Sequence, residues 1–253
     1  MDKDLADYID LSQMMYFGTS DCIMKSDKYS VFISCKTNDL FYNFIVLKDC
    51  SLEEALNKRL EISEKYQKDV CLFHTPASTA QISNLERFAE DSFMFLETAN
   101  APKYQHRHSG IAFEIARDKN KFAEDFQKIY EAPGGVYEIC DEGEVESIKR
   151  FFEIQPPEGI EFVPINVYKN GEIVGQIMCC ISKGIMQINS IGVLPKYRYG
   201  SVFIQICRYC LELAASQNCK TLTCQTERGS TNEKLFQKLG FSTTFSCTYF
   251  KVN

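Results

Sequence analysis

The chain has no tryptophan and only three histidines among its 253 residues. No apolar run comes near the ~20 residues that a bilayer-spanning helix needs, so no membrane partner is expected. The histidines are His74, His106 and His108. His106 and His108 can share one side of an extended segment, but no third ligand stands near them, and no metal site is expected. Basic residues are not in excess either: 28 Lys and Arg against 34 Asp and Glu leave a net charge of −6. That balance argues against nucleic acid as a partner, because neutralising phosphates takes clustered Lys and Arg. The opening residues 1–7 lack the basic-then-apolar order of a secretory signal. The expectation is a soluble, cytoplasmic protein.

What is present is a large apolar fraction, 45% of residues, enough to bury a sizeable core. The 12 cysteines are dispersed below the density of a disulfide scaffold, so free thiols are expected. Cys207-x-x-Cys210 lies inside an amphipathic helical pattern with no second pair or nearby His, which reads as core packing. Cys179 and Cys180 are neighbours in a strand pattern and should point to opposite faces of a sheet.

Periodicity from residue 109 onward reads as a strand at 111–116, a helix at 120–130 stopped by Pro133-Gly134-Gly135, and a helix at 144–152 ended by Pro156-Pro157. Strands follow at 161–168, 173–182 and 185–193, joined by the hairpin signals Asn170-Gly171 and Lys183-Gly184. A helix at 201–217, a strand at 221–225, a helix at 231–239 and two closing strands at 241–245 and 248–252 complete the pattern. In the first hundred residues a helix is predicted at 5–16, a hairpin at 29–35 and 40–47 across Thr37-Asn38-Asp39, and a helix at 52–66. A strand at 70–74, a helix at 82–89 and a strand at 93–97 follow. Residues 99–108, polar and carrying Pro102, read as a linker, which sets two domains, 1–100 and 109–253.

The run Val193-Leu194-Pro195-Lys196-Tyr197-Arg198 leads from a strand into a helix and is followed by Asn232 and Gly240-Phe241. It resembles the acyl-CoA-binding core of the GCN5-related N-acetyltransferases (GNAT), whose pattern is roughly V-x-P-x-Y-R-x-x-G-x-G/A. Two family glycines are replaced by Ser201 and Phe203, with Gly200 one place early. The resemblance implies a GNAT fold of class α/β (α+β), a mixed central sheet flanked by helices, in the order β-α-α-β-β-β-α-β-α-β-β. It also implies a smaller, degenerate GNAT-like α/β unit in the first hundred residues, as in tandem members.

The activity so implied is transfer of an acetyl group from acetyl-CoA, as acyl-donor substrate, to a small-molecule or peptide amine, by a monomer or homodimer. Cofactor contacts are expected from the backbone of Ile191, Gly192 and Val193, from Arg198, Tyr199, Gly200, Ser201, Val202 and Phe203 around the helix N-terminus, and from Asn232 and Phe236. A helix N-terminus can hold pyrophosphate through its free amides. Ser230-Thr231-Asn232 is equally a capping sequence. Phe236 stands where the family often has a Tyr acid, and Gln187 and Asn189 stand near where many members have a carboxylate base. Asn189 and Tyr249 are the catalytic candidates, with Tyr199 or water as alternatives, and Glu227 and Arg228 edge the cleft. Two further readings stay open: a non-catalytic acyl-CoA-binding or interaction module, and a glycine N-acyltransferase-like enzyme that moves larger acyl groups.

Overall fold

Asn170 (φ 52°) with Gly171 (φ 85°), and Lys183 (φ 49°) with Gly184 (φ 74°), adopt left-handed conformations. That backbone suits two-residue turns whose twist matches the flanking strands. The two turns join β7 (Glu161–Lys169), β8 (Glu172–Ser182) and β9 (Ile185–Val193) into an antiparallel meander at both predicted hairpins. The structure is a computed structural model and describes residues 3–100, 110–134, 142–198 and 201–252.

Before the meander come β6 (Ile111–Ile115), α3 (Lys119–Tyr130) and α4 (Glu142–Glu153). After it, α5 (Val202–Ser216) crosses to β10 (Thr221–Glu227), which is parallel to β9, and α6 (Thr231–Lys238) leads to β11 (Ser242–Lys251). The predicted closing pair is one strand: the irregularity between Thr243 and Phe245 is a bulge in the ladder to a neighbouring strand, not a turn.

The earlier residues form α1 (Lys3–Met14), β1 (Asp21–Lys25), β2 (Tyr29–Ile33), β3 (Phe44–Leu47), α2 (Leu52–Tyr66), β4 (Cys71–His74) and β5 (Glu86–Glu97). Helix α2 has the predicted bounds because Ser51 and Glu54 form a reciprocal capping box and Gln67 ends it at φ 54°. Three expectations change. Strand β1 was not foreseen, residues 40–42 are a short 3₁₀ turn, and the helix predicted at 82–89 is absent, with β5 starting at Glu86.

Each half of the chain contains an antiparallel pair followed by a helical crossover to a parallel strand: β2-β3-α2-β4 and β8-β9-α5-β10. The strand beside each crossover product comes from the other half. In the sheet order β1-β2-β3-β4-β11-β5-β10-β9-β8-β7-β6, β11 lies against β4 and β5 lies against β10. The two exchanged strands pair with each other at the middle of the sheet.

Alternation along β5 separates the layers. Phe93 joins the core under α1, with Ile9, Phe73 and Tyr249, while Met94 and Leu96 join the core under α5 and α6. Cys179 and Cys180 likewise fall in opposite layers, and Cys207 and Cys210 are buried in α5 against the sheet. Burial pushes the Cys179, Cys180 and Cys207 thiols up.

Candidate active site

Strands β9 and β10 pair in parallel from Ile185↔Thr221 only as far as Ile188↔Cys224. Beyond that point they part, and the reason lies on the other edge of β9. Against β8, Ile188 faces Cys179 and Ser190 faces Met178, so Asn189 is an extra, bulged residue. A bulge adds twist and turns the strand away from its partner. The result is a wedge between residues 189–193 of β9 and 225–227 of β10, in which strand pairing between the two has ended. Backbone polar groups at such an edge call for a partner, and an extended amide-bearing arm can supply one.

Helices close the wedge on one face. Asn189 Nδ2 donates to the Met15 carbonyl at 2.8 Å, Ser12 Oγ donates to Gln187 Oε1 at 2.7 Å, and Gln187 Nε2 donates to the Ser12 backbone carbonyl at 3.1 Å. The end of α1 and the turn after it therefore sit across β9. From α3, Tyr130 is buried against Gly192 and shares a 2.5 Å hydrogen bond with Ser190 Oγ. A Cβ on Gly192 would fall 2.2 Å from the Tyr130 ring, so this glycine is what lets α3 lie close to β9. Burial raises the Tyr130 hydroxyl pKa, which keeps it neutral.

At the other end of the wedge, Ile191 and Val193 point into the core beneath α5. Arg198, in the turn behind them, donates from Nε to the Val193 carbonyl (3.0 Å) and from Nη1 to the Gly134 carbonyl (2.6 Å). Ser201 precedes α5 at φ −73° with no capping bond from its side chain. A glycine is thus not required there, and the amides of the first turn keep no side-chain cap. Val202 is buried, and Phe203 packs edge-on against Phe236 at 5.3 Å, which in turn packs against Phe241. The two replacements noticed separately in the sequence therefore touch. Tyr199 and Gly200 lie outside the described residues, as do His106 and His108. Asn232 is exposed in the first turn of α6, and it is Ser230 that caps the helix by accepting from the Glu233 amide at 3.1 Å.

Tyr249 is buried on β11 and faces a cavity of about 290 Å³ that opens beside the wedge. Gln225, the first β10 residue past the last β9 pair, is central to it. Its Nε2 donates to Asp91 Oδ2 at 2.6 Å and approaches the Tyr249 hydroxyl at 3.4 Å, while its Oε1 accepts from Gln13 of α1 at 3.1 Å. Burial raises the Asp91 pKa, opposed by the hydrogen bonds from Gln225 and Tyr249. Burial also drives up the Tyr249 and Tyr16 hydroxyls, with Asp91 adding to both. Glu227 lines the same cavity, whereas Arg228 is turned to Glu90 and Ser246 Oγ. Asp91, Gln225, Gln13 and Tyr16 were not singled out from sequence. Asp91 sits in a strand whose neighbours are more than a hundred residues away, and no local pattern marks it.

Residues 120–241 match the model of the acetyltransferase (GNAT) family. Among solved structures, the whole chain resembles a GCN5-related N-acetyltransferase from Kribbella flavida, with a TM-score of 0.68 at 10% identity over 96% of this chain and 94% of that one. It also resembles a conserved protein of unknown function from Staphylococcus epidermidis, with a TM-score of 0.68 at 12% identity over 92% and 94%. A tandem GNAT protein from the clavulanic acid biosynthesis pathway aligns with a TM-score of 0.57 at 10% identity, over 89% and 78%. At such identities the likeness is one of fold. A comparison with curated protein sequences finds no match.

Proposed function

We propose that the chain is an acyl-CoA-dependent N-acyltransferase that carries an acetyl group from acetyl-CoA to an amine by direct attack. The observation behind this reading is the wedge that opens at Asn189 between β9 and β10, within the residues that match the GNAT family model. The pantetheine arm would lie along residues 191–193, and the uncapped first turn of α5 would take the pyrophosphate. Tyr130 over Gly192 and α1 across Asn189 leave little room at the base of the wedge, which favours acetyl over longer acyl groups.

The chain's part in the reaction is chiefly placement: two reactants held in line gain the advantage of an intramolecular reaction. Asn189 is a poor base, since an amide does not take up protons near neutrality and its donor is engaged by Met15. Tyr249 remains the candidate for proton traffic, next to Asp91 and Gln225. No helix of the described residues is long and apolar enough to cross a membrane, and we place the reaction in the cytoplasm. The acidic net charge supports an amine acceptor over a nucleic acid. We take the working form to be a monomer or homodimer.

Isothermal calorimetry with acetyl-CoA, together with thermal melting, tests the donor. At a concentration 100-fold above Kd the ligand should add about 2.7 kcal/mol of stability, visible as a raised midpoint. Absence of binding by both methods rejects the proposal. Firm binding with no CoA release toward any amine instead favours a non-catalytic acyl-CoA-binding module, the reading that the Phe203–Phe236 pair would then explain.

A further inference from the structure

The cavity beside the wedge is lined by the aromatic residues Tyr16, Phe41, Tyr42, Phe44 and Tyr249, with the acidic residues Asp91 and Glu227 among them. No Lys, Arg or His is among its lining residues. Aromatic faces and carboxylates both attract cations, and neither favours an anion. Among the described residues Asp91 makes no ion pair, although it sits in a poorly solvated place with only Gln225 and Tyr249 as hydrogen-bond donors. A shielded carboxylate that lacks a cation of its own is suited to accept one from a ligand. At about 290 Å³ the cavity lies at the small end of ligand pockets, ~300–1,000 Å³.

Its position links it to the chemistry. Gln225 lines the cavity, bonds Asp91, and follows the last residue of β10 that pairs with β9. Through Gln13 it is tied to α1, and two residues on, the Met15 carbonyl holds Asn189 at the point where the strands part. Asp91 itself comes from the exchanged strand β5, so this corner of the site is built by the first half of the chain against the second.

We infer that this cavity binds the acceptor, a small cationic primary amine with an apolar body, and that Asp91 holds its ammonium group and takes its proton. The inference rests on the acyl-transfer reading above. The ammonium passes one proton to the Asp91 carboxylate, and the freed nitrogen lone pair forms a C–N bond to the thioester carbonyl carbon. The C–S bond breaks, and the proton that the new amide nitrogen sheds goes to the departing CoA sulfur. Asp91 returns its own proton to solvent. One acetyl group is moved and one proton is released in each turnover.

The test compares phenethylamine with its uncharged isostere 2-phenylethanol, by calorimetry on the full chain, and follows CoA release with phenethylamine as acceptor. The wild-type protein is expected to bind the amine at least ten-fold more tightly than the alcohol. Asp91→Asn is expected to abolish that preference and raise the KM for phenethylamine at least ten-fold, with acetyl-CoA binding unchanged as the sign of an intact fold. No binding of the amine, or no preference over the alcohol in the wild-type protein, overturns the inference without any variant. So does an Asp91→Asn protein that binds acetyl-CoA and keeps the wild-type preference. A wild-type protein that prefers the amine but binds no acetyl-CoA refutes the acyl-transfer reading and leaves the cation site standing.

Discussion

Gly192 shows how one residue sets the spacing of the site. Its missing side chain lets the Tyr130 ring lie where a Cβ would come within 2.2 Å, and Tyr130 in turn bonds Ser190 beside the bulge. Gly192→Ala should force α3 or β9 to shift. The expected cost is about 1–3 kcal/mol, the usual range for overpacking, with weaker acetyl-CoA binding because the wedge edge moves. Chemical denaturation and calorimetry on the variant check both effects, and unchanged stability would show that the ring is free to move. Gly192 was expected to offer only its backbone. That it also carries the helix packing was not legible, because Tyr130 is 62 positions away and looks like any other apolar residue on its helix.

At the scale of elements, Glu233 ties α6 to both exchanged strands. Ser92 Oγ of β5 (2.6 Å) and Thr243 Oγ1 of β11 (2.9 Å) donate to its Oε1, and the Gly229 amide donates to its Oε2 at 2.6 Å. These donors, the Ser92 hydroxyl first, hold its carboxyl pKa below the ordinary value. A folded pKa that is lowered means the stabilisation is complete above the unfolded pKa of about 4.3 and is lost as pH falls through the lower folded value. Glu233→Gln turns one acceptor into a donor that faces another donor. It should cost about 1–3 kcal/mol at neutral pH. The loss should shrink as the pH drops below about 4. Urea titrations at pH 7 and pH 3.5 measure this, and a pH-independent loss would contradict the charged state of Glu233. The sequence named Asn232, next door, for a role at the cofactor, while the buried residue of this helix turn is Glu233.

For the whole molecule, the exchange of β5 and β11 makes each half incomplete without the other. Residues 1–100 alone would leave unpaired the short β4 edge that β11 covers and would leave the twelve-residue β5 without either neighbour, and residues 109–253 alone would lack the strand between β10 and β11. Unpaired edges of that kind promote aggregation. Unfolding in urea is therefore expected as one transition, coincident by far-ultraviolet circular dichroism and by tyrosine fluorescence. Two separated transitions would show that the halves unfold independently in spite of the shared strands. The same exchange brings Asp91 of the first half to Gln225 and Tyr249 of the second, so a cavity between halves arises from the sheet order itself.

Most of the second half was legible because its signals are local. The Asn170-Gly171 and Lys183-Gly184 turns, the apolar face of α5 and the Val193 to Arg198 run each act over a few residues, and they determined the meander, the crossover and the family resemblance. The capping box of α2 did the same in the first half. What local signals could not carry was decided by distant partners. Residues 82–89 have helix-like spacing, but from Glu86 on they are strand because β11, some 160 positions later, offers them a ladder. The bulge at Asn189 depends on β8, and the place of Asp91 depends on β10 and β11. Local periodicity reports which face of an element is apolar, whereas strand order and register depend on which distant edges need covering, and only the assembled sheet settles that.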